Sequence, residues 1–190
     1  SSAENLHKKI FAVGRLSSEK GHRYLIDAVG LVKKSHPEVE LWIAGDGELR
    51  ASLEKQVVEK KMTDCVKFLG NRKDIEELMA KVDVFVLPSL HEGFGLAAAE
   101  AMACGLPVVA TEAVKVNQLI EDGTSGFVVP AKNSVAIAAR LRRILDDESR
   151  SRAIGQSARN RIKSLFTSEK TAKRYMALYQ RLMTVKGLTC

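Results

Sequence analysis

The chain has 190 residues, 45% hydrophobic and 28% charged, which fits one soluble globular domain large enough to bury a core. No apolar run approaches the ~20 residues needed to span a membrane, and the N-terminus lacks a signal-peptide pattern. The net charge of +7 invites a nucleic-acid or membrane partner, but aromatic residues make up only 5% and no aromatic-basic cluster appears, which argues against a nucleic-acid module.

In chain order, Ser1-Ser2-Ala3-Glu4-Asn5 has no initiator Met and reads as part of a linker remnant over 1–8. Lys9 to Gly14 reads as a first strand, followed by the polar turn Arg15-Leu16-Ser17-Ser18-Glu19-Lys20-Gly21. Leu25, Ala28, Val29 and Val32 at helical spacing predict a helix over His22–Lys34, with Ser17 or Ser18 as its cap. A second strand over Val39–Ala44 leads through Gly45-Asp46-Gly47 to a helix ending near Lys61. Gly45-x-Gly47 after a strand invites a dinucleotide fingerprint, but Arg50 occupies the third glycine position and no acidic residue closes a following strand. Cys65–Gly70 is a third strand, Lys73–Lys81 a short helix and Asp83–Leu87 a fourth strand.

After Pro88 come Glu92-Gly93-Phe94-Gly95 and a run of helix formers from Leu96 to the stop signal Gly105-Leu106-Pro107. Gly93 and Gly95 allow a tight turn and close approach to a ligand. Glu92 and Glu100, eight positions apart, are expected roughly 8–12 Å from each other. That separation suits two parts of one extended polar ligand, with an anionic group at the helix start between them. On spacing alone, the same loop also serves as ordinary scaffold.

Pro107–Thr111 is a fifth strand, residues 117–121 a short helix and Phe127–Val129 a sixth strand. Three helical stretches close the chain, over 134–146, 149–164 and 168–183, the last with Tyr175, Leu178, Tyr179 and Leu182 on one side. That stripe packs on its own domain or on a missing one.

Most of the positive excess lies here, from Arg140 to Arg174, interleaved with Asp146, Asp147 and Glu148. A solvated helix face accounts for it; attraction to anionic lipid is the second reading. Cys65, Cys104 and Cys190 have no paired spacing, and buried-looking contexts for two of them favour reduced thiols and a cytoplasmic setting. No Cys/His cluster suggests a metal.

Continuous apolar strands alternating with helices predict an α/β fold: a doubly wound parallel sheet of about six strands, helices on both faces, and a helical C-terminal tail. In the common strand order 3-2-1-4-5-6, the first and fourth strands flank the switch point. The Arg15 turn and the Glu92 loop would then face one crevice.

Glu92-Gly93-Phe94-Gly95 with Glu100, then Ala-Met-Ala-Cys-Gly-Leu-Pro-Val-Val-Ala-Thr, resembles the E-x7-E region of retaining glycosyltransferases of family 4 (group 1). The resemblance runs from Val13-Gly14-Arg15-Leu16 to about Leu145, and more loosely to the end. It implies the Rossmann-like, C-terminal donor-binding half of a GT-B enzyme, 1–190 forming a single domain with 167–183 as terminal helix and the N-terminal acceptor domain absent. The implied activity is hexosyl transfer from a nucleotide sugar to a glycan, lipid or other acceptor. A UDP-sugar is favoured over GDP- or ADP-sugars, and the fragment is expected to be inactive alone.

By the same resemblance, Arg15 and Lys20 hold the diphosphate and assist its departure, and Glu92 faces the transferred sugar; these are the catalytic expectations. Glu100 accepts from the ribose hydroxyls, and backbone N–H groups of Phe94, Gly95 and Leu96, beside Gly93, point at sugar or diphosphate. Asn71 and Arg72 hold the base through backbone groups. No cofactor and no metal are expected, since the cations neutralise the leaving group. Peripheral membrane contact fits relatives with lipid acceptors.

The chain departs from the pattern at Ala113-Val114-Lys115-Val116-Asn117-Gln118, where relatives carry a Gly-Gly pair and an acidic step, and at the small Ala97-Ala98-Ala99. Both put the sugar's identity in doubt more than nucleotide binding. The alternative is a non-catalytic nucleotide-sugar-binding subunit working with a separate acceptor-binding chain. A GT-B epimerase or phosphorylase fits the fold but the Glu92–Glu100 loop less well.

Overall fold

A computed structural model of the chain describes residues 8–112 and 119–165. Its centre is a six-stranded, all-parallel sheet in the order β3-β2-β1-β4-β5-β6. The elements run β1 (Lys9–Val13), α1 (His22–Val32), β2 (Glu40–Ala44), α2 (Arg50–Glu59), β3 (Val66–Gly70) and α3 (Ile75–Met79). There follow β4 (Val84–Leu87), α4 (Leu96–Ala103), β5 (Val108–Thr111), β6 (Phe127–Val129), α5 (Ser134–Leu145) and α6 (Glu148–Leu165).

The strands are apolar at nearly every position because both sheet faces are covered. Alternate residues go to opposite cores. Ile10 and Ala12 of β1, Val84 and Val86 of β4 and Val109 of β5 pack under α1 and α5. Phe11, Phe85, Leu87, Val108 and Ala110 go to the other side with α4 and Ala158 of α6. Phe11 and Phe85 meet edge to face at 6.0 Å on neighbouring strands. In α1 the apolar stripe Leu25, Ile26, Ala28, Val29 and Val32 is wholly buried, and this burial rather than capping holds the helix.

The expected fold is the observed one, with most elements slightly shorter, α6 one residue longer at each end, and a few corrections. Neither Ser17 nor Ser18 caps α1. Ser18–Lys20 forms a 3-10 turn, and the helix starts from Gly21 at φ 65° with no side-chain cap. Cys65 is buried, but Cys104 is exposed because it lies just past the end of α4. The stretches 113–118 and 166–190, with the glycine departure, Gln118, the first two residues of the expected short helix, the terminal stripe and Cys190, lie outside the described residues, as do positions 1–7 of the linker remnant. Among the described residues, no helix is long and apolar enough to cross a membrane.

Candidate functional site

The β1–α1 turn is built against the β2–α2 loop. Gly14 N–H donates to the Ala44 carbonyl (3.0 Å), Leu16 N–H to Asp46 (2.9 Å), and Leu49 N–H back to Leu16 (2.9 Å). The fit is close: a β-carbon on Gly45 would stand 2.0 Å from the Gly14 oxygen, and one on Gly47 would stand 2.6 Å from the Leu16 oxygen. The Gly45-x-Gly47 pair therefore serves as a buttress for the Arg15 turn.

The β4–α4 loop is tied to the same turn. Leu90 N–H donates to the Glu19 carbonyl at 2.6 Å. On its other side, the buried Thr111 hydroxyl at the end of β5 donates to the Ser89 carbonyl. Ser89 in turn donates through Oγ to Glu92 Oε2 at 3.2 Å. These long-range ties hold Glu92 where Lys20 can reach it, with Lys20 Nζ 2.6 Å from Glu92 Oε2.

The two loops border one cleft of about 430 Å³. Its walls include Gly14, Arg15 and Lys20 from one loop, Glu92, Phe94 and Gly95 from the other, and Leu96, Ala97 and Glu100 from α4. Gly95 adopts φ 79° and starts α4 without a side-chain cap, so the first turn of the helix faces the cleft with its positive end. Gly93 bends without left-handed backbone, and a β-carbon on it would meet nothing within 4 Å among the described residues. Arg15 is exposed and stands 3.8 Å from Glu48, an ion pair too open to fix it.

Of the expected site residues, Arg15, Lys20, Glu92, Phe94, Gly95, Leu96 and Glu100 line this cleft. Asn71 and Arg72 are exposed and do not. Arg72 grips Asp74 through Nε (2.8 Å) and Nη2 (2.5 Å), which raises the guanidinium's pKa and lowers that of the Asp74 carboxyl. Ile75, at the start of α3, forms the wall on that side instead. Ser89, Thr111 and Ile75 carried no local signal. Among the described residues, no group of three or more His, Cys, Asp or Glu could hold a metal ion.

An apolar floor, two cations, two carboxylates and an uncapped helix start form a receptacle for an elongated polar anion. Comparison with known proteins agrees in kind. Residues 2–161 match the family model described as glycosyl transferases group 1. The chain is 32% identical over 182 residues to the amylovoran biosynthesis glycosyltransferase AmsK of Erwinia amylovora, covering 92% of this chain and 45% of that protein. It is 34% identical to an uncharacterized glycosyltransferase of Methanocaldococcus jannaschii, covering 95% and 46%.

Among solved structures, Anabaena HepE in complex with UDP and glucose superposes with a TM-score of 0.86 at 29% identity, over 92% of this chain and 48% of that one. The C-terminal domain of the LpcC glycosyl transferase of Francisella tularensis gives 0.80 at 27% identity, over 85% and 87%. The chain thus spans about half the length of the curated relatives it matches. It belongs to the group 1 glycosyltransferases, and its sheet is the Rossmann-like half of the GT-B fold.

Proposed function

We propose that the chain is the donor-binding half of a retaining glycosyltransferase, and that the cleft between the Arg15 turn and the Glu92 loop receives a nucleotide sugar. The observation that carries this is the convergence of Lys20, Glu92, Glu100 and the start of α4 on one cavity. Lys20 and Arg15 neutralise the diphosphate, Lys as a mobile point charge and Arg as a planar fork. Glu100 accepts from the ribose hydroxyls. Glu92 meets the transferred hexosyl group, and the N-terminal turn of α4 adds a partial positive charge. UDP is the favoured nucleotide, supported by the UDP complex of HepE at 29% identity.

In this mechanism the departing diphosphate takes the acceptor's proton on the face where the new bond forms. The protein stabilises the leaving group and the oxocarbenium-like centre, with no protein nucleophile and no metal. The acceptor, a glycan, lipid or other molecule, is held by a partner domain. The chain alone binds donor and transfers nothing.

The test is UDP release from UDP-sugars by this chain joined to its acceptor domain, with Lys20→Ala and Glu92→Gln as controls. Turnover lost in both variants supports the assignment. Turnover untouched by either overturns it.

A further inference from the structure

One buried group beside the cleft has no role in this mechanism. His22 is the first residue of α1 and is 3% exposed. Among the described residues neither ring nitrogen has a hydrogen-bond partner, although buried polar atoms are nearly always paired. The ring is not part of the cleft wall. It stands behind Gly14, which is. A β-carbon built on Gly14 would lie 3.6 Å from Lys20 Cδ, 3.7 Å from Lys20 Cγ and 3.8 Å from His22 Nε2. Gly14, the Lys20 stem and the His22 ring therefore converge on one point beneath the cation that faces Glu92.

We propose that His22 is a positioning residue for the donor site, its neutral ring holding the Gly14–Arg15 backbone and the Lys20 stem from behind so that the cleft is set for a diphosphate. This rests on the donor-site assignment above. The backbone of Arg15 and Gly14 acts on the ring in the sense that favours a proton, against the effect of burial. Burial, reinforced by Lys20, lowers the His22 pKa to about 4. Lys20 Nζ meets Glu92 Oε2 at the mouth of the cleft, on the far side of its stem from the ring.

The position of Nε2 makes the role testable by rescue. A Gln side chain places its terminal amide near the position of Nε2, an Asn places it near Nδ1, and Leu fills the volume without polarity. UDP affinity is measured by calorimetry on the 190-residue chain for wild type, His22→Gln, His22→Asn and His22→Leu. Thermal melts run in parallel, and Lys20→Ala and Glu100→Ala are controls. The expected result is binding within about twofold of wild type for Gln and a loss of about tenfold for Asn and Leu, in samples that melt as folded proteins.

If Leu does not fold, the contrast between Gln and Asn decides alone. Equal affinity in all the His22 variants, with Lys20→Ala weakened, overturns the positioning role and leaves the donor site standing. UDP binding that is absent in wild type, or untouched by both controls, overturns the donor site and this role with it.

Discussion

Lys20 Nζ lies 2.6 Å from Glu92 Oε2, joining residues 72 positions apart across the mouth of the cleft. Their side chains are only 24% and 18% exposed, so solvent screens the pair weakly. A diphosphate entering the cleft competes with Glu92 for the same ammonium. Glu92→Gln is therefore expected to tighten UDP about 3- to 10-fold, because the competitor is gone, while UDP-sugar gains less or loses affinity. Lys20→Met weakens both by about 10- to 100-fold. Calorimetric titration with UDP and a UDP-sugar checks the contrast.

His22 gives stability a pH dependence of known sign. Its folded pKa is about 4, below the ordinary value of 6.5, so on acidification the unfolded chain takes the proton first. Stability is full above pH 6.5 and falls as pH drops toward 4, by on the order of 3 kcal/mol in all and about 2 kcal/mol by pH 5. The carboxyls with lowered pKa, such as Asp74 and Asp147, lose their contributions only below their ordinary values, so they act in a lower window. Denaturant melts of wild type and His22→Gln at pH 7 and 5 test this: the gap between the two proteins narrows or reverses at pH 5.

Two glycines near the site separate folding from binding. Gly45 holds φ 127°, and a β-carbon there would stand 2.0 Å from the Gly14 oxygen, backbone that cannot step aside. Gly45→Ala is expected to destabilise by roughly 2–4 kcal/mol. Gly93→Ala meets nothing within 4 Å and needs no left-handed backbone, so its melting temperature stays within about 2 °C of wild type. If the sugar occupies the space beside Gly93, UDP-sugar affinity falls in that variant while UDP affinity holds.

Thr111 anchors the loop from the far side. Its buried hydroxyl donates to the Ser89 carbonyl, and Ser89 donates to Glu92. Thr111→Val keeps the shape and strands that carbonyl, for an expected cost of roughly 1–3 kcal/mol by urea denaturation.

The sheet was legible because a parallel strand covered on both faces is apolar throughout, as Val84-Phe85-Val86-Leu87 is. Strand order then followed from the common doubly wound arrangement, which placed the Arg15 turn beside the Glu92 loop. The start of α1 at His22 is as the spacing predicts, but its cap is not Ser17 or Ser18: the left-handed Gly21 begins the helix after a 3-10 turn. Expectations at Asn71 and Arg72 came from resemblance alone. No local pattern announced that Arg72 would pair with Asp74 while Ile75 formed the wall. The ties that place Glu92, from Leu90 to Glu19 and from Thr111 to Ser89, join residues far apart in sequence. Hydrophobic periodicity reports which face is buried; it says nothing about which loop is stitched to which.

Saturation-transfer NMR of the chain with UDP, GDP and ADP, repeated on Glu100→Ala, tests the central claim most directly. Binding of UDP, weakened about tenfold or more in the variant, is the predicted result and identifies Glu100 as the ribose carboxylate. Equal UDP signals from wild type and variant, or no binding of any nucleotide, would contradict the assignment of this cleft as the donor site.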